Sequence, residues 1–236
     1  MIKSVRLVNF FSFGDCTIDL ESDLNVLVGI NGSGKSNFLR AFQLLKAGLD
    51  GRLREQIVQW GGMNAIYQKN AAKSHIMRDI SLFFTVANTM LDGWADGYKG
   101  DVTYHISFLG QGKNEFLIDE KVWRPDGNKY FDSFDGNAFL SPEAIVGEAA
   151  AGRHKLGNGK ELILPTLFGS GASGGLINLY YNLHKVDTYR LFNTVEDAPM
   201  RTTVRATGVD KLLPNGDNMF QVLNVTGLKS TAAYDA

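Results

Sequence analysis

The chain has 236 residues, 44% of them hydrophobic and 21% charged, enough apolar material for one large domain or two small ones with a true core. Its formal net charge is −1, which excludes the global basic field of a protein that binds nucleic acid by charge alone. One cysteine, Cys16, excludes an intrachain disulfide, and the opening MIKSVRLVNFFSF lacks the long apolar core of a signal peptide. With no apolar run near the ~20 residues that span a bilayer, the expectation is a cytoplasmic protein without a membrane partner.

In chain order, Ile2 to Phe10 alternates as a strand, Phe11 to Asp15 reads as a turn, and Cys16 to Leu20 returns as a second strand. A break at Ser22-Asp23 precedes Val26-Leu27-Val28, an apolar run predicted to be the strand that feeds a loop. That loop, Gly29-Ile30-Asn31-Gly32-Ser33-Gly34-Lys35-Ser36, fits the phosphate-binding pattern G-x-x-x-x-G-K-S/T without a mismatch. Phe38, Phe42 and Leu45 then follow at helical spacing, and Gly48 stands where a C-terminal cap is expected.

The residue types match the chemistry of a triphosphate. Gly29, Gly32 and Gly34 allow a tight turn with no Cβ to hold phosphates away. Amides from Gly32 through Ser33 and Gly34 to Ser36 can form an anion-binding nest at the positive end of the helix dipole. Lys35 is expected to reach the β- and γ-phosphates, and the Ser36 hydroxyl to take one position on Mg²⁺. ATP and Mg²⁺ are therefore the expected ligands.

Residues 56–69 form a mixed segment broken at Gly61-Gly62, whose glutamines are most simply exposed loop residues. From 75 to 130 the period becomes two. Ile80 to Val86, Val102 to Phe108 and Phe116 to Val122 alternate between glycine-bearing breaks and predict an antiparallel β-meander. His105 belongs to this sheet and has no second metal ligand at a useful spacing. Phe116 to Glu120 imitates a Walker B strand, with Asp119 for Mg²⁺ and Glu120 for water. Its alternation continues through Trp123, however, as in a half-exposed antiparallel strand rather than a buried parallel one.

Residues 131–159 read as loop with a short helix at 142–151. Gly169 to Gly175 lacks a following Lys-Ser and reads as a turn before a helix from Leu176 to His184, with a strand over Val186 to Asn193. Near the end, Asn215-Gly216 makes a turn, Asp217 or Asn218 caps, and Met219, Val222 and Leu223 share a helical face.

The stretch from Val5 to Phe42 resembles the N-terminus of ABC-type ATPases of the RecF/SMC kind, including the AAA-family ATPases of bacterial defence systems. That family opens "N-F-R/K-S-F" and continues to "G-x-N-G-x-G-K-S-N". Asn9, Phe10, Ser12 and Phe13 match the first phrase, and Asn31, Gly32, Gly34, Lys35, Ser36 and Asn37 the second. Phe11 departs from it, standing where the family has a basic residue; Arg6 and Arg40 are the candidates to replace that charge. The family's "L-x-x-D-G-x-N-L-x-x-V-L" is similar to residues 212–223, and its strand with "Y-R" to residues 186–193, while its Q-loop glutamine stays unassigned.

The resemblance implies an α/β P-loop NTPase fold, the N-terminal lobe of an ABC-type head with an antiparallel β-meander subdomain. It divides the chain into strands, P-loop and first helix (1–50), the meander (75–130), and a helical and strand segment (160–236). It also implies ATP-driven pairing with a second ATPase head, or with a C-terminal half that carries the signature and Walker B motifs, in DNA repair or phage defence. DNA would be reached through the full-length assembly. Neither motif is found in this sequence, so catalytic residues are left unnamed and weak ATP turnover is expected. A complete small P-loop kinase or transferase, and a noncatalytic module ordered by nucleotide, stay open as alternatives.

Overall fold

A computed structural model describes residues 1–68, 79–87, 93–110, 115–145, 151–169, 172–189, 195–201 and 211–229. They fall into two units, Met1–Val186 and Asp187–Ala236.

The first unit is built on one eight-stranded antiparallel sheet in the order β2-β1-β3-β4-β5-β6-β7-β8. Its strands are β1 (Ile2–Phe10), β2 (Phe13–Asp19), β3 (Ile80–Val86), β4 (Val102–Gly110), β5 (Phe116–Trp123), β6 (Lys129–Phe134), β7 (Asn137–Leu140) and β8 (Gly152–Lys155). Register follows the alternation of the sequence. Val5, Phe84, Tyr104, Val122, Phe131 and Leu140 form one row across six strands, all on the buried face. The neighbouring row on the other face runs Arg6, Phe83, His105, Lys121, Asp132, Phe139 and Arg153.

The buried face is covered by helices. Phe38, Ala41, Leu44 and Leu45 of α1 (Lys35–Leu49) face the core, and the Phe42 ring lies 5.9 Å from that of Phe84. After α2 (Leu53–Gln59) and α3 (Met63–Ile66), Tyr67 bridges back to Phe10 at the end of β1. The other covering helix is α4 (Gly174–His184), which Ser173 caps by accepting a hydrogen bond from the Leu176 N–H at 3.5 Å. The far ends of α1 and α4 are tied together. Lys46 Nζ donates to the His184 carbonyl at 2.5 Å, and His184 Nε2 lies 2.8 Å from Asp50 Oδ1.

The structure revises four expectations. Val26-Leu27-Val28 joins no ladder, and its side chains are open, with Val28 89% exposed. A strand needs a neighbour for its backbone groups, and no described strand lies beside this run. Gly48 is not a cap: α1 continues to Leu49, Asp50 caps it, and Gly48 sits where a Cβ would come within 2.6 Å of Leu162 Cδ1. The segment read as loop holds three strands, β6, β7 and β8, and a 3-10 turn at Pro142–Ala144 replaces the longer helix, of which 146–150 lie outside the described residues. Strands of four to six residues, two of them joined by the two-residue turn Asp135-Gly136, left too short a run for period two to show. Residues 186–189 form no strand, and 190–193 lie outside the described residues.

In the second unit, α5 (Met219–Lys229) begins after the turn at Gly216, which takes a φ of 76°. Just before it, the Asn218 side chain holds the preceding loop. Its Oδ1 accepts the Leu213 N–H at 2.8 Å and its Nδ2 donates to the Lys211 carbonyl at 2.9 Å.

Candidate functional site

The phosphate-loop residues assemble at the N-terminus of α1. Ser33 N–H donates to the Ile30 carbonyl at 3.2 Å to close the turn, and Phe38 N–H donates to the Gly34 carbonyl at 2.9 Å to open the helix. Gly32 (φ 88°) and Gly34 (φ 98°) occupy left-handed backbone that other residues adopt only with strain. Gly34 has a second constraint, because a Cβ there would lie 2.8 Å from Ser12 Oγ. The tip of the β1–β2 hairpin thus presses on the last glycine of the loop. Gly29, Asn31, Gly32, Ser33 and Ser36 are exposed, and Asn37 and Lys35 are half-buried.

Lys35 folds back over the loop. Its Nζ donates to the carbonyls of Gly29 (2.5 Å) and Ile30 (2.8 Å) and approaches Ser33 Oγ at 3.4 Å. These are neutral acceptors on a solvent-facing loop, which a phosphate oxygen outcompetes by charge. Glycines in left-handed backbone, an open helix N-terminus and a lysine held by exchangeable acceptors together fit a polyphosphate.

Beside the loop a cavity of about 460 Å³ is lined by Phe11, Ser12, Asn37, Arg40, Tyr67 and Gln68. Phe11 takes φ 48°, unusual for a bulky residue, and is pinned by its N–H to the Ile66 carbonyl at 2.6 Å and by edge contacts with Phe10 and Trp60. Arg40 lies over the Phe11 ring at 4.7 Å from its centroid, and its Nη1 donates to Asn37 Oδ1 at 2.9 Å. Asn37 Nδ2 in turn donates to Ser12 Oγ at 3.1 Å. Sequence reasoning flagged the pieces but not the cavity; only the return of the chain at Tyr67–Gln68 to β1 closes it. Of the glutamines, Gln56 and Gln59 pair with each other on α2 at 3.2 Å, whereas Gln68 reaches this cavity.

The Walker B look-alike separates into two unrelated residues. Asp119 and Glu120 are consecutive on antiparallel β5 and point to opposite faces. Asp119 Oδ2 takes Lys121 Nζ at 2.6 Å on the outer face. Glu120 is 0% exposed and accepts three hydrogen bonds, from Tyr104 Oη (2.7 Å), Ile163 N–H (2.6 Å) and Leu164 N–H (3.0 Å). Burial pushes its carboxyl up to about 7 against the pull of those donors. It is an internal clamp that ties the segment before the Leu164–Gly169 3-10 turn to the sheet. His105 is likewise structural: it stacks on Phe83 at 4.2 Å with its edge to Trp123, and burial and the Lys121 charge hold its pKa down to about 4. Among the described residues there is no cluster of metal ligands, and no helix is long and apolar enough to cross a membrane.

An α/β fold with a glycine loop opening its first helix defines a nucleotide-binding class. Residues 1–121 match the model of the AAA ATPase domain family, and the chain belongs to that family. It is similar to the DNA replication and repair protein RecF of Clostridium tetani, 25% identical over 83 residues that cover 34% of this chain and 23% of RecF. It is also similar to the chromosome partition protein Smc of Fusobacterium nucleatum, 29% identical over 160 residues covering 64% of this chain and 12% of Smc. The matches to these relatives thus span between about an eighth and a quarter of their length. Among solved structures, one from work on ATP-driven dimerization and DNA stimulated activation of SMC ATPases aligns over 54% of this chain and 70% of its own, at a TM-score of 0.39 and 17% identity.

Proposed function

We propose that this chain supplies the triphosphate-binding half of a composite ATP site of the RecF/SMC kind. The observation that carries the reading is the loop itself: Gly32 and Gly34 in left-handed backbone, with Lys35 as the first residue of α1. The amides of residues 32–36 and the Lys35 ammonium hold the β- and γ-phosphates once Lys35 gives up the Gly29 and Ile30 carbonyls, and exposed Ser36 offers its hydroxyl to Mg²⁺. Bound Mg²⁺-ATP supplies a polyanion on which a second protein surface can close.

Two features support a composite site. The glutamate of the Walker B look-alike, Glu120, is not free to activate water, since it is buried and committed to three donors. The run before the loop leaves Leu24, Val26, Val28 and Ile30 open at alternate positions and Leu27 open between them, so apolar side chains at both parities await cover, the pattern of a strand that belongs inside a parallel sheet. A complementary segment, from this protein or a second head, provides the neighbour strand together with the signature and Walker B groups. By analogy with the RecF and SMC relatives, nucleotide-dependent pairing then acts in DNA repair, chromosome handling or antiviral defence, with DNA met by the full assembly. A self-sufficient kinase would need Asp119 and Glu120 in one site, which their opposite orientation denies.

The test measures ATP turnover with wild type and Glu120→Gln, with sedimentation to follow association. Mg²⁺-ATP binding with background turnover supports the reading. Robust turnover lost in Glu120→Gln overturns it.

A further inference from the structure

Arg6 and Arg40 are the candidates to replace the cation absent at Phe11, and the structure separates them. Arg6 is spent: its Nε and Nη2 make a two-pronged pair with Asp15 at 2.8 and 2.7 Å on the β1–β2 hairpin. Arg40 has no carboxylate partner among the described residues. Of the five N–H donors a guanidinium carries, one is committed, to Asn37 Oδ1. The group is nevertheless fixed in place, by Asn37 on one side and by the π-face of Phe11 on the other.

Position along α1 decides what such a group can meet. Arg40 lies five residues after Lys35, about 7.5 Å further along the helix axis, so it is out of line with phosphates held at the helix N-terminus. It lines instead the cavity of about 460 Å³ beside the loop, within the roughly 300–1,000 Å³ range of small-molecule sites. Around it stand the aromatic side chains of Phe11 and Tyr67, the Ser12 hydroxyl, and the amides of Gln68 and of Asn37, which also bonds Arg40 and Ser12. A planar cation, an aromatic wall and amide hydrogen-bonding groups suit a flat heterocycle better than a second anion.

Resting on the phosphate-loop reading above, we propose that Arg40 is a nucleoside-binding residue, stacking its guanidinium on the base of the nucleotide whose phosphates occupy the loop. Phe11 then has a specific task. Where a basic residue at the hairpin tip would itself present charge, Phe11 presents a surface that orients the arginine of the neighbouring helix. The left-handed backbone at Phe11 (φ 48°) is the local cost of aiming that ring at Arg40.

Trp60 provides a reporter, since the Arg40 guanidinium lies 5.9 Å from its ring centroid and the Phe11 ring 5.5 Å away. The experiment titrates ATP and inorganic tripolyphosphate, each with Mg²⁺, into wild type, Lys35→Ala, Arg40→Ala and Arg40→Lys. Heat and tryptophan fluorescence are the readouts, with circular dichroism melts as the folding control. Arg40→Ala is expected to weaken ATP roughly tenfold and to leave tripolyphosphate unchanged, with Arg40→Lys no better because an ammonium has no plane to stack. Lys35→Ala is expected to lose both ligands. Equal loss of ATP and tripolyphosphate in Arg40→Ala, full affinity in Arg40→Lys, or no change in either variant overturns the assignment while leaving the phosphate loop intact. Failure of wild type to bind either ligand sinks the loop reading, and this assignment with it.

Discussion

Two buried titratable groups on the sheet make opposite contributions to stability as pH changes, and the structure sets the size of each. Burial raises the Glu120 carboxyl from 4.5 to about 7, so the folded state holds a proton that the unfolded chain has released. Its contribution is fully present below pH 4.5 and is lost as pH rises through about 7. At 1.36 kcal/mol per pH unit, that is about 3 kcal/mol. His105 works in reverse: its pKa falls from 6.5 to about 4, so its contribution is present above 6.5 and is lost as pH falls through about 4, again by about 3 kcal/mol. Between about pH 4.5 and 6.5 the two slopes cancel in the wild type. Glu120→Gln removes the falling limb, so its stability difference from wild type shifts by about 3 kcal/mol in the variant's favour from about pH 4.5 to 8. His105→Phe, which keeps the stack between Phe83 and Trp123, removes the other limb and gains relative to wild type on acidification over about pH 6.5 to 4. Urea unfolding followed by tryptophan fluorescence across this range gives both difference curves, in which the remaining titrating groups cancel. Differences that stay constant with pH would refute the reasoning.

Other consequences test separate parts of the structure. Gly34→Ala places a Cβ 2.8 Å from Ser12 Oγ on backbone at φ 98°, and is expected to cost about 1–2 kcal/mol in thermal unfolding as well as most ATP affinity. Gly175→Ala meets Trp94 Cδ2 at 2.2 Å, and Trp94 cannot yield because it stacks on Tyr130 at 3.8 Å. A loss of about 1–3 kcal/mol is expected in the same melt, with ATP affinity unchanged by calorimetry. Val26→Lys with Val28→Thr alters exposed side chains and is expected to leave stability of the chain alone within about 0.5 kcal/mol. The same pair should weaken ATP-dependent association measured by sedimentation, because the run then no longer suits the interior of a sheet.

The glycine turn and the helix it opens were legible in the sequence because their residues are consecutive and each has a local reason: left-handed backbone at Gly32 and Gly34, and helical start at Lys35. The meander was legible through Phe116–Trp123 because those strands are long enough to show alternation, and β6 to β8 were missed because they are short. Val26 to Val28 read as a strand for a sound reason, since its composition suits one; the partner it requires is not among the described residues. The cavity was illegible because Phe11, Arg40 and Gln68 are distant in sequence, and only the α2–α3 return brings them together. That Asp119 and Glu120 face apart follows from strand geometry alone, but what Glu120 holds, the amides of Ile163 and Leu164, needed the fold.

The central claim is tested most directly by calorimetric titration of Mg²⁺-ATP into the purified chain beside Lys35→Ala. The account predicts saturable one-to-one binding to the wild type that is lost in the variant. Equal binding by both proteins, or none by the wild type, would contradict it.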